Sequence, residues 1–308
     1  MEILRNFGFT PPFECRELRG RTWEIKNAGG EIFILKRNEN CAEVEKSLTL
    51  NKFLRSEGVC VAEYLPEILR SKSEGVCAEK YLRFFTCDSD GAYTLMRKMG
   101  GTHRTAFVGD FAFTARNAGV KIARLHKALK KWDFGDANDS DLIDELNGWV
   151  REAITAGGIE ISDEIFSTCT SCEYRALPRQ FIHRDIQHGN ILFEGNELVG
   201  FLDFDLTQKN ARVFDIVYFF SSILADEWIS ENSDEFVAKW REYASAFLCG
   251  YNSENTLLAS EIKAMHKIAL SIQLIFIAWF SSVGQTEFLP KSIEMLNRVF
   301  ENEELFSF

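Results

Sequence analysis

The sequence FIHRDIQHGNILFEGNELVGFLDFD, at residues 181–205, decides the fold class of this chain. It contains an H-x-D-x-x-x-x-N block from His183 to Asn190 and a D-F-D run at residues 203–205. Apolar β-like residues border both motifs, and the Glu194-Gly195-Asn196 turn signal between them predicts a short hairpin. The block therefore presents polar groups from loops at fixed intervals.

Four polar residues in and before this block match the groups that phosphoryl transfer requires. One carboxylate orients and deprotonates an acceptor hydroxyl, an amide and a second carboxylate hold Mg²⁺, and a lysine binds the phosphates. The chain supplies them in the order typical of kinases: Lys36 at the end of an apolar strand, then Asp185, Asn190 and Asp203. The sequence thus predicts ATP- and Mg²⁺-dependent phosphotransfer, with D-F-D in place of the D-F-G of protein kinases.

Charge is distributed unevenly along the chain. Of 308 residues, 35 are Lys or Arg and 46 are Asp or Glu, a net charge of −11. A surface this acidic repels nucleic-acid backbones and anionic lipid, so we expect neither as a general partner. The first 130 residues carry 22 basic and 16 acidic residues and the other 178 carry 13 and 30, which predicts a basic nucleotide-binding part and an acidic acceptor-binding part.

The cysteines and the apolar segments predict a cytoplasmic protein. The eight cysteines lack the regularity of a disulfide framework, and the single C-x-x-C, at residues 169–172, has no second pair to complete a zinc site. The first ten residues lack the apolar core of a signal peptide. The most apolar run, Ile268–Val283, is about 16 residues long, short of the ~20 that span a bilayer, and predicts a buried helix.

The order of β-like and helix-like segments predicts an α+β protein with two lobes. The first hundred residues alternate β-like runs with turn signals and contain one helix pattern, about Ala42 to Ser56. The β-like runs are Arg16–Leu18, Trp23–Lys26, Glu31–Lys36, Val76–Phe85 and Tyr93–Met99, with a hairpin turn at residues 27–30. From about residue 105 the pattern is mostly helical. We therefore expect a small mostly-β lobe, a larger mostly-α lobe and a ligand cleft between them.

The chain resembles the aminoglycoside phosphotransferase and choline kinase-like family, small-molecule kinases with the bilobal protein-kinase-like fold. The most specific part is residues 181–215, including the R-x-x-D run at its end, and Ile122–His126 resembles the leucine-histidine helix end of that family. Residues 247–251, followed by Leu257 and Glu261, look like the branch of homoserine kinase type II and the RdoA-like and spore-coat kinases.

This resemblance implies the boundaries of the two lobes. Residues 1–99 would form the nucleotide-binding lobe, with a small antiparallel sheet and a hinge at about 96–101. Residues 102–308 would form the helical lobe. The second lobe would contain the catalytic loop 183–190, the metal site 203–205 and an acceptor-binding insert at about 130–177.

The resemblance also implies the roles of the catalytic and metal-binding residues. Asp185 would be the catalytic base, and Asn190 and Asp203 would be ligands of Mg²⁺. Asp205 is either a second metal- or phosphate-proximal group or a cap of the helix that begins near Ala211.

The nucleotide would be held by residues of the first lobe. Lys36 would bind the α- and β-phosphates, with Glu45 as its helix partner and Glu43 as the alternative, since the helix register is open. The phosphate loop at residues 18–23 has one glycine and no G-x-G-x-x-G, which favours small-molecule kinases over protein kinases and leaves the role of Thr22 open.

The resemblance places the hinge at residues 95–100. The backbone of Arg97 and Met99 would hydrogen-bond adenine, and Met96 would line the pocket. The residues leave ATP and GTP as alternative donors, and monomer and homodimer as alternative states.

Several residues near the motifs have simpler structural interpretations. His183 is expected to hydrogen-bond backbone, and His188 either touches substrate or is a solvated loop residue. Asp215 resembles the buried aspartate with which the family braces its catalytic loop. The helix-spaced aromatic residues Phe214, Tyr218 and Phe219 are interpreted as core.

The acceptor is the least determined part of the prediction. The insert opens with acidic residues at positions 133, 136, 139, 141, 144 and 145, which form either an acidic wall for a cationic amino alcohol or aminoglycoside, or a solvated helix start. The predicted acceptor is a hydroxyl of a small, cationic or zwitterionic molecule that is aminoglycoside-, choline- or homoserine-like. The alternatives are a protein Ser/Thr kinase of the RdoA-like type and a catalytically silent kinase-fold scaffold.

Overall fold

The computed structural model describes residues 2–66, 85–88, 91–133, 141–170, 172–227 and 233–308. The chain divides into two compact units, Met1–Gly101 with Gly200–Asp205 and Thr102–Val199 with Leu206–Phe308. The short segment 200–205 therefore groups with the first unit, whereas the prediction placed it in the second. Most of the predicted β-like run 76–85, and the acidic positions 136 and 139, lie outside the described residues.

An antiparallel sheet forms most of the first unit. Its strands are β1 (Phe13–Arg19), β2 (Thr22–Asn27), β3 (Ile32–Asn38), β4 (Phe85–Asp88) and β5 (Gly91–Arg97). They lie in the order β1-β2-β3-β5-β4, with each neighbouring pair antiparallel. Helix α1 (Cys41–Ser56) follows β3, close to its predicted bounds, and the Asn40 side chain caps it by accepting from Glu43 N at 2.9 Å.

One face of this sheet is packed with apolar side chains. Alternate residues of β2, β3 and β5 point to the same face, and there they bury a cluster with the 3₁₀ helix Glu2–Phe7. The cluster consists of Leu4, Phe7, Ile25, Phe33, Leu35, Tyr93 and Leu95. The predicted turn at residues 27–30 is confirmed, with Gly30 N–H donating to Asn27 O at 3.0 Å and Gly30 at φ 82°.

Residues 200–205 attach to the first unit through backbone contacts. Phe201 N–H donates to Cys60 O at 3.0 Å, and Phe201 forms a parallel bridge with Val61. Asp203 and Asp205 are thereby brought to the same unit as Lys36, which precedes them by more than 160 residues.

Helices form most of the second unit. They are α2 (Phe111–Leu129), α3 (Leu142–Glu145), a π-helical turn (Leu146–Val150), α4 (Arg151–Ala156), α5 (Asp163–Cys169), α6 (Val213–Glu227), α7 (Ser233–Glu254), α8 (Ala259–Ser282) and α9 (Leu289–Glu301). Strands β6 (Arg179–Ile182) and β9 (Gln208–Ala211) pair antiparallel, and β7 (Ile191–Glu194) and β8 (Glu197–Phe201) form the predicted hairpin. The predicted α+β fold class is confirmed.

Helices α2 and α7 pack closely because glycines lie at their contact. A Cβ on Gly250 would lie 2.0 Å from Arg116 O, and one on Gly119 would lie 2.1 Å from Phe247 O. The close approach places Tyr251 of α7 beside His126 near the end of α2, with the hydroxyl 2.8 Å from His126 Nδ1.

Among the described residues, α8 is the helix that is long and apolar enough to cross a membrane by length and composition. Its apolar window has a mean hydropathy of 1.4, and 67% of that window is buried inside the protein. The core helix of a folded protein has these same properties. The buried helix predicted for residues 268–283 is present and ends at Ser282.

Candidate active site

A buried aspartate holds the backbone of the loop that contains the H-x-D motif. Asp215, in the first turn of α6, accepts from His183 N and from Arg184 N, both at 2.8 Å. Its Oδ2 also lies 3.0 Å from Nε2 of His126, whose side chain is fully buried. Three hydrogen bonds to one carboxylate satisfy donors that burial would otherwise leave unpaired.

Backbone strain occurs at two positions of the candidate site. Arg184 has φ 75° and Asp203 has φ 58°, and they are the non-glycine residues with positive φ in the described parts of the chain. Such conformations cost about 1–3 kcal/mol each and persist where surrounding contacts over-determine them. Asp203 is itself one of the predicted chemical groups, and Arg184 directly precedes another, Asp185.

The side chain of Asp185 is held by neighbouring polar groups of the second unit. Asn190 Nδ2 donates to Asp185 Oδ2 at 2.6 Å and to Asp185 O at 2.9 Å, and Gln187 Nε2 donates to Oδ1 at 3.3 Å. The five-residue interval from Asp185 to Asn190 thus closes a hydrogen-bonded loop, as a site for a positioned carboxylate requires.

The aromatic residues predicted as core pack together on α6, and Tyr218 is more exposed than the other two. Phe214 and Phe219 are buried, with 1% and 0% exposure, whereas Tyr218 is half-buried and its ring packs against Phe214 and Phe276, at centroid distances of 5.9 and 5.4 Å. Burial raises the pKa of the Tyr218 hydroxyl well above its ordinary value, and the charge of Asp185 raises it further.

Lys36 binds two carboxylates within the first unit. Its Nζ lies 2.8 Å from Asp203 Oδ1 and 2.6 Å from Asp205 Oδ2. Burial by itself would lower the pKa of Lys36, but the two carboxylates outweigh it and raise the pKa above its ordinary value. The ammonium is therefore charged at neutral pH. Asp205 thus lies in one ion-paired group with Lys36 and Asp203, which agrees with the first of its two alternatives, a metal- or phosphate-proximal group rather than a helix cap.

Sheet register places predicted nucleotide-site residues on the face opposite the apolar cluster. Lys36 pairs with Thr22 on one side and with Thr94 on the other, and Ile34 pairs with Met96. Paired residues and residues two apart point to the same face of a sheet. Thr22, Lys36 and Met96 therefore share one face, as a nucleotide site in this unit would need.

Two further residues on this face, Thr94 and Tyr64, were not predicted from the sequence. The Thr94 hydroxyl is buried with no hydrogen-bond partner among the described residues. Tyr64 pairs with Met96, and burial raises the pKa of its hydroxyl to about 12, with Lys36 acting in the opposite direction. No sequence pattern marks either residue, because their position follows from strand pairing alone.

The structure differs from the prediction at the helix partner of Lys36. Of the carboxylates in the described residues, Asp203 and Asp205 lie within ion-pair distance of Lys36, whereas Glu43 and Glu45 are exposed on α1. In the predicted hinge, the Arg97 N–H donates to Glu63 O at 2.9 Å, so this N–H has a protein partner. The adenine contacts of the Arg97 and Met99 backbone stay predictions.

The oxygen atoms predicted to bind Mg²⁺ have suitable chemistry. Asp203 Oδ1 and Asp205 Oδ2 already converge on one cation, the Lys36 ammonium, so the pair can share a positive charge. In the second unit, Nδ2 of Asn190 is engaged with Asp185, which leaves its Oδ1 as the atom of that amide for a cation. Carboxylate and amide oxygens are the ligands that Mg²⁺ takes in proteins.

The two histidines of the motif are held by the protein. His183 is fully buried, and its Nδ1 accepts from Asp185 N at 3.3 Å, in agreement with a structural role. His188 is 13% exposed, and its Nδ1 lies 3.6 Å from Asp226 Oδ2. The interpretation of His188 as a solvated loop residue is therefore wrong, and its contact with substrate stays a prediction.

The acidic start of the insert is partly neutralised by ion pairs. Arg175 bonds Asp141 at 3.0 Å and Asp144 at 2.7 Å, and Asp141 also caps α3 by accepting from Ile143 N at 2.8 Å. Glu145 bonds Arg184. For these residues the structure favours the helix-start alternative over an open acidic wall.

Comparison with known proteins identifies sequence relatives. The phosphotransferase enzyme family matches residues 16–251. A homoserine kinase of Zymomonas mobilis is 27% identical over 175 residues, 53% of this chain and 52% of the relative. A homoserine kinase of Polaromonas naphthalenivorans is 30% identical over 126 residues, 41% of this chain and 37% of the relative. The chain spans about half the length of the curated relatives it matches.

Solved structures share the fold. A microcompartment-associated aminopropanol kinase superposes with a TM-score of 0.73 at 16% identity, covering 99% of this chain and 97% of the other. The amicoumacin kinase hAmiN, in complex with AMP-PNP, Ca²⁺ and Ami, superposes with a TM-score of 0.67 at 15% identity, covering 92% and 88%. At this identity the likeness shows the kinase-like fold alone, and together with the sequence match it confirms the predicted resemblance.

Proposed function

We propose that this chain, which belongs to the phosphotransferase enzyme family, transfers the γ-phosphate of ATP to a hydroxyl group of a small, amino-bearing molecule. The donor would be ATP with Mg²⁺, and the acceptor would be aminoglycoside-, choline- or homoserine-like.

The geometry around Asp185 carries the proposal. Its carboxylate is held at Oδ2 by Asn190 at 2.6 Å and at Oδ1 by Gln187, on a loop whose backbone Asp215 holds. A carboxylate fixed in this way can orient an acceptor hydroxyl and accept its proton as the oxygen attacks phosphorus. Arg184, directly before Asp185, has φ 75°, and strained backbone of this kind clusters at active sites.

Lys36 supports the nucleotide-binding part of the proposal. Its charged ammonium, on the same sheet face as Thr22 and Met96, would bind phosphate oxygens, for which a lysine acts as a point charge. Asp203, Asp205 and Asn190 would hold the metal through their oxygens. When bound, Mg²⁺ would neutralise the charge of the phosphates during transfer.

The preference for an amino-bearing acceptor rests on charge and on relatives. The last 178 residues contain 30 acidic and 13 basic residues, which favours a cationic or zwitterionic acceptor. The relatives in the sequence comparison carry the name homoserine kinase. Homoserine therefore heads the acceptors to be tested.

The test replaces Asp185 with Asn and measures phosphorylation with Mg-ATP over an acceptor panel. The panel contains homoserine, 1-amino-2-propanol, ethanolamine, choline and kanamycin. We expect Asp185→Asn to lower kcat by about 10²–10⁴-fold, the usual contribution of a general base. Asp234→Asn, at an exposed side chain in the first turn of α7, is the matched control and should keep the wild-type rate.

Two outcomes would contradict the proposal. Wild-type and Asp185→Asn rates within a few-fold of each other would remove Asp185 as the base. A wild-type protein that phosphorylates nothing in the panel and gains no thermal stability from Mg-ATP would instead favour the catalytically silent scaffold.

A further inference from the structure

A short segment at the start of the second unit is fixed beside β7. Thr102 and Phe193 exchange two backbone hydrogen bonds, each 2.9 Å long, and form an antiparallel bridge. The Arg104 guanidinium donates to Gly195 O at 2.5 Å. The residue between these two anchors is His103, and it is therefore held next to the end of the catalytic loop.

The His103 ring contacts two carbonyl groups at that end of the loop. Its Nδ1 lies 3.0 Å from His188 O and 3.2 Å from Ile191 O. A carbonyl oxygen only accepts hydrogen bonds, so Nδ1 must carry a proton and share it between the two oxygens. The two partners therefore define the tautomer of the neutral ring, with its proton on Nδ1 and none on Nε2.

The two carbonyls belong to the ends of one tight turn. Residues 188–190 form a 3₁₀ turn, and β7 begins at Ile191. Within the turn, the Asn190 N–H donates to Gln187 O at 2.9 Å. Turns of this kind have poorer hydrogen-bond geometry than α-helices. A donor that binds one carbonyl at each end therefore restrains the turn by fixing the distance between its ends.

The turn determines the position of the Asn190 side chain. This short side chain is buried, and its Nδ2 donates to Asp185 O at 2.9 Å and to Asp185 Oδ2 at 2.6 Å. Its Oδ1 is the atom that would bind Mg²⁺ in the proposed function. Because the side chain has few torsions of its own, a displacement of the turn moves both of these atoms.

The turn is held from α6 as well as from His103. The His188 ring meets the Phe219 ring edge to face at a centroid distance of 5.9 Å, and its Nδ1 lies 3.6 Å from Asp226 Oδ2. These contacts fix the side chain of His188, whereas His103 binds its backbone carbonyl. Removal of the His103 ring should therefore loosen the turn without unfolding it.

We propose that His103 is a positioning residue for phosphoryl transfer, whose Nδ1–H holds the turn at residues 188–191 and with it the Asn190 side chain. Through Asn190 it acts on Asp185 and on the bound metal. The inference deepens the proposed function and rests on it. His103 lies 85 residues before His188, outside the motifs that mark the site in the sequence.

Two amide substitutions separate the Nδ1–H from the rest of the ring. The amide nitrogen of asparagine stands as many bonds from Cβ as Nδ1 does, and its hydrogens can serve both carbonyls. The amide nitrogen of glutamine corresponds instead to Nε2. His103→Asn should therefore keep the contact, and His103→Gln should lose it. Because His103 is exposed, neither change nor His103→Ala opens a cavity in the core.

The experiment compares the Ala, Asn and Gln variants of His103 with the wild type, and measures kcat and the Mg²⁺ concentration that gives half the maximal rate. The acceptor is the panel member that the wild type phosphorylates best, or water, followed as ATP hydrolysis, if none is used. We expect His103→Ala and His103→Gln to lower kcat about fivefold and to raise the half-saturating Mg²⁺ concentration by a similar factor, as the net loss of one hydrogen bond does. For His103→Asn both values should stay within about twofold of the wild type.

The matched control is His266→Ala. The His266 ring also bonds a backbone carbonyl, with Nε2 2.8 Å from Val299 O, but this bond joins α8 to α9. The control should leave kcat and the half-saturating Mg²⁺ concentration within about twofold of the wild-type values.

The Asn190→Ala background distinguishes positioning from a general structural effect. If His103 acts through Asn190, His103→Ala lowers the rate of the wild type and changes the residual rate of Asn190→Ala by less than about twofold. Equal losses in the two backgrounds, no loss in the wild type, or an Asn variant as impaired as the Gln variant would overturn the inference. Inactivity of the wild type toward every acceptor and toward water would instead count against the proposed function.

The tautomer of His103 tests the contact without any activity. The ¹⁵N chemical shifts of the histidine side chains, recorded in alkaline buffer without Mg²⁺, report which ring nitrogen carries the proton, and the His103→Asn variant identifies the His103 signals. We expect the proton on Nδ1. A proton on Nε2 would show that Nδ1 donates to neither carbonyl, which would overturn the inference whatever the rates.

Discussion

Replacement of Asp215 with Asn should strongly destabilise the second unit. The carboxylate accepts three hydrogen bonds: Oδ1 accepts from Arg184 N, and Oδ2 accepts from His183 N and faces His126 Nε2. An asparagine has one oxygen, and its NH₂ group must replace either Oδ1 or Oδ2. In the milder case the NH₂ group replaces Oδ1 and faces the Arg184 N–H, so that two donors oppose each other.

The magnitude follows from this milder case. One hydrogen bond to a charged acceptor is lost, worth about 1.5–3 kcal/mol, and one buried N–H is left unpaired, at about 1–3 kcal/mol. Arg184 also loses the contact that holds it at φ 75°. We therefore expect the free energy of unfolding to fall by about 3–5 kcal/mol. The rate of phosphate transfer should fall as well, because Asp185 follows Arg184 directly.

Urea unfolding, followed by tryptophan fluorescence, measures the change. Asp110→Asn is the control, because Asp110 caps α2 from an exposed position by accepting from Phe113 N at 3.0 Å, and asparagine caps helices as well as aspartate does. The control should change the free energy of unfolding by less than about 0.5 kcal/mol. A loss below about 1 kcal/mol for Asp215→Asn would refute the reasoning, because the loss of one of the three hydrogen bonds to a fully buried carboxylate should lower the stability by more than that.

Two further predictions concern the second unit away from the loop. Glu261→Gln should lower the free energy of unfolding by about 3–5 kcal/mol, because the fully buried Glu261 binds Arg212 through both oxygens at 2.8 Å. Glu235→Gln, in an exposed ion pair with Lys239, is the control and should change it by less than about 0.5 kcal/mol. Equal losses for the two variants in urea unfolding would contradict this prediction. Burial raises the pKa of the Cys169 thiol to about 12, so iodoacetamide at pH 8 should label the exposed Cys249 of the folded protein long before Cys169. Peptide mass spectrometry measures both rates, and comparable labelling of the two would show that the site of Cys169 is open.

Much of the site could be predicted from the sequence because its spacing is local. Asp185 and Asn190 are five residues apart, and the structure joins them by hydrogen bonds through one turn of backbone. The hairpins at residues 27–30 and 194–196 follow from turn residues, which restrict the backbone by themselves. The buried helix α8 follows from a run of apolar residues, which a folded chain places in its core.

Errors arose where a contact depends on which neighbour the chain brings close. The expected partner of Lys36 was a glutamate of α1, but β3 and residues 200–205 instead place Asp203 and Asp205 at its ammonium. In the predicted hinge, the Arg97 N–H pairs with Glu63 O of a segment that runs beside β5, a contact that was not predicted. Neither neighbour is marked in the sequence, because strand edges and segment ends pair by position rather than by residue type.

The sequence by itself determined the fold class and the family, and it predicted Lys36, Asp185, Asn190 and Asp203 as the chemical groups of the site. These depend on residue types at short intervals, which local backbone geometry converts directly into structure. Only the tertiary structure decided how those residues are held. The rotation of α6 about its axis, set by packing, turns Asp215 toward the loop at residues 183–190, and the resulting hydrogen bonds maintain a strained backbone that no short segment would adopt alone.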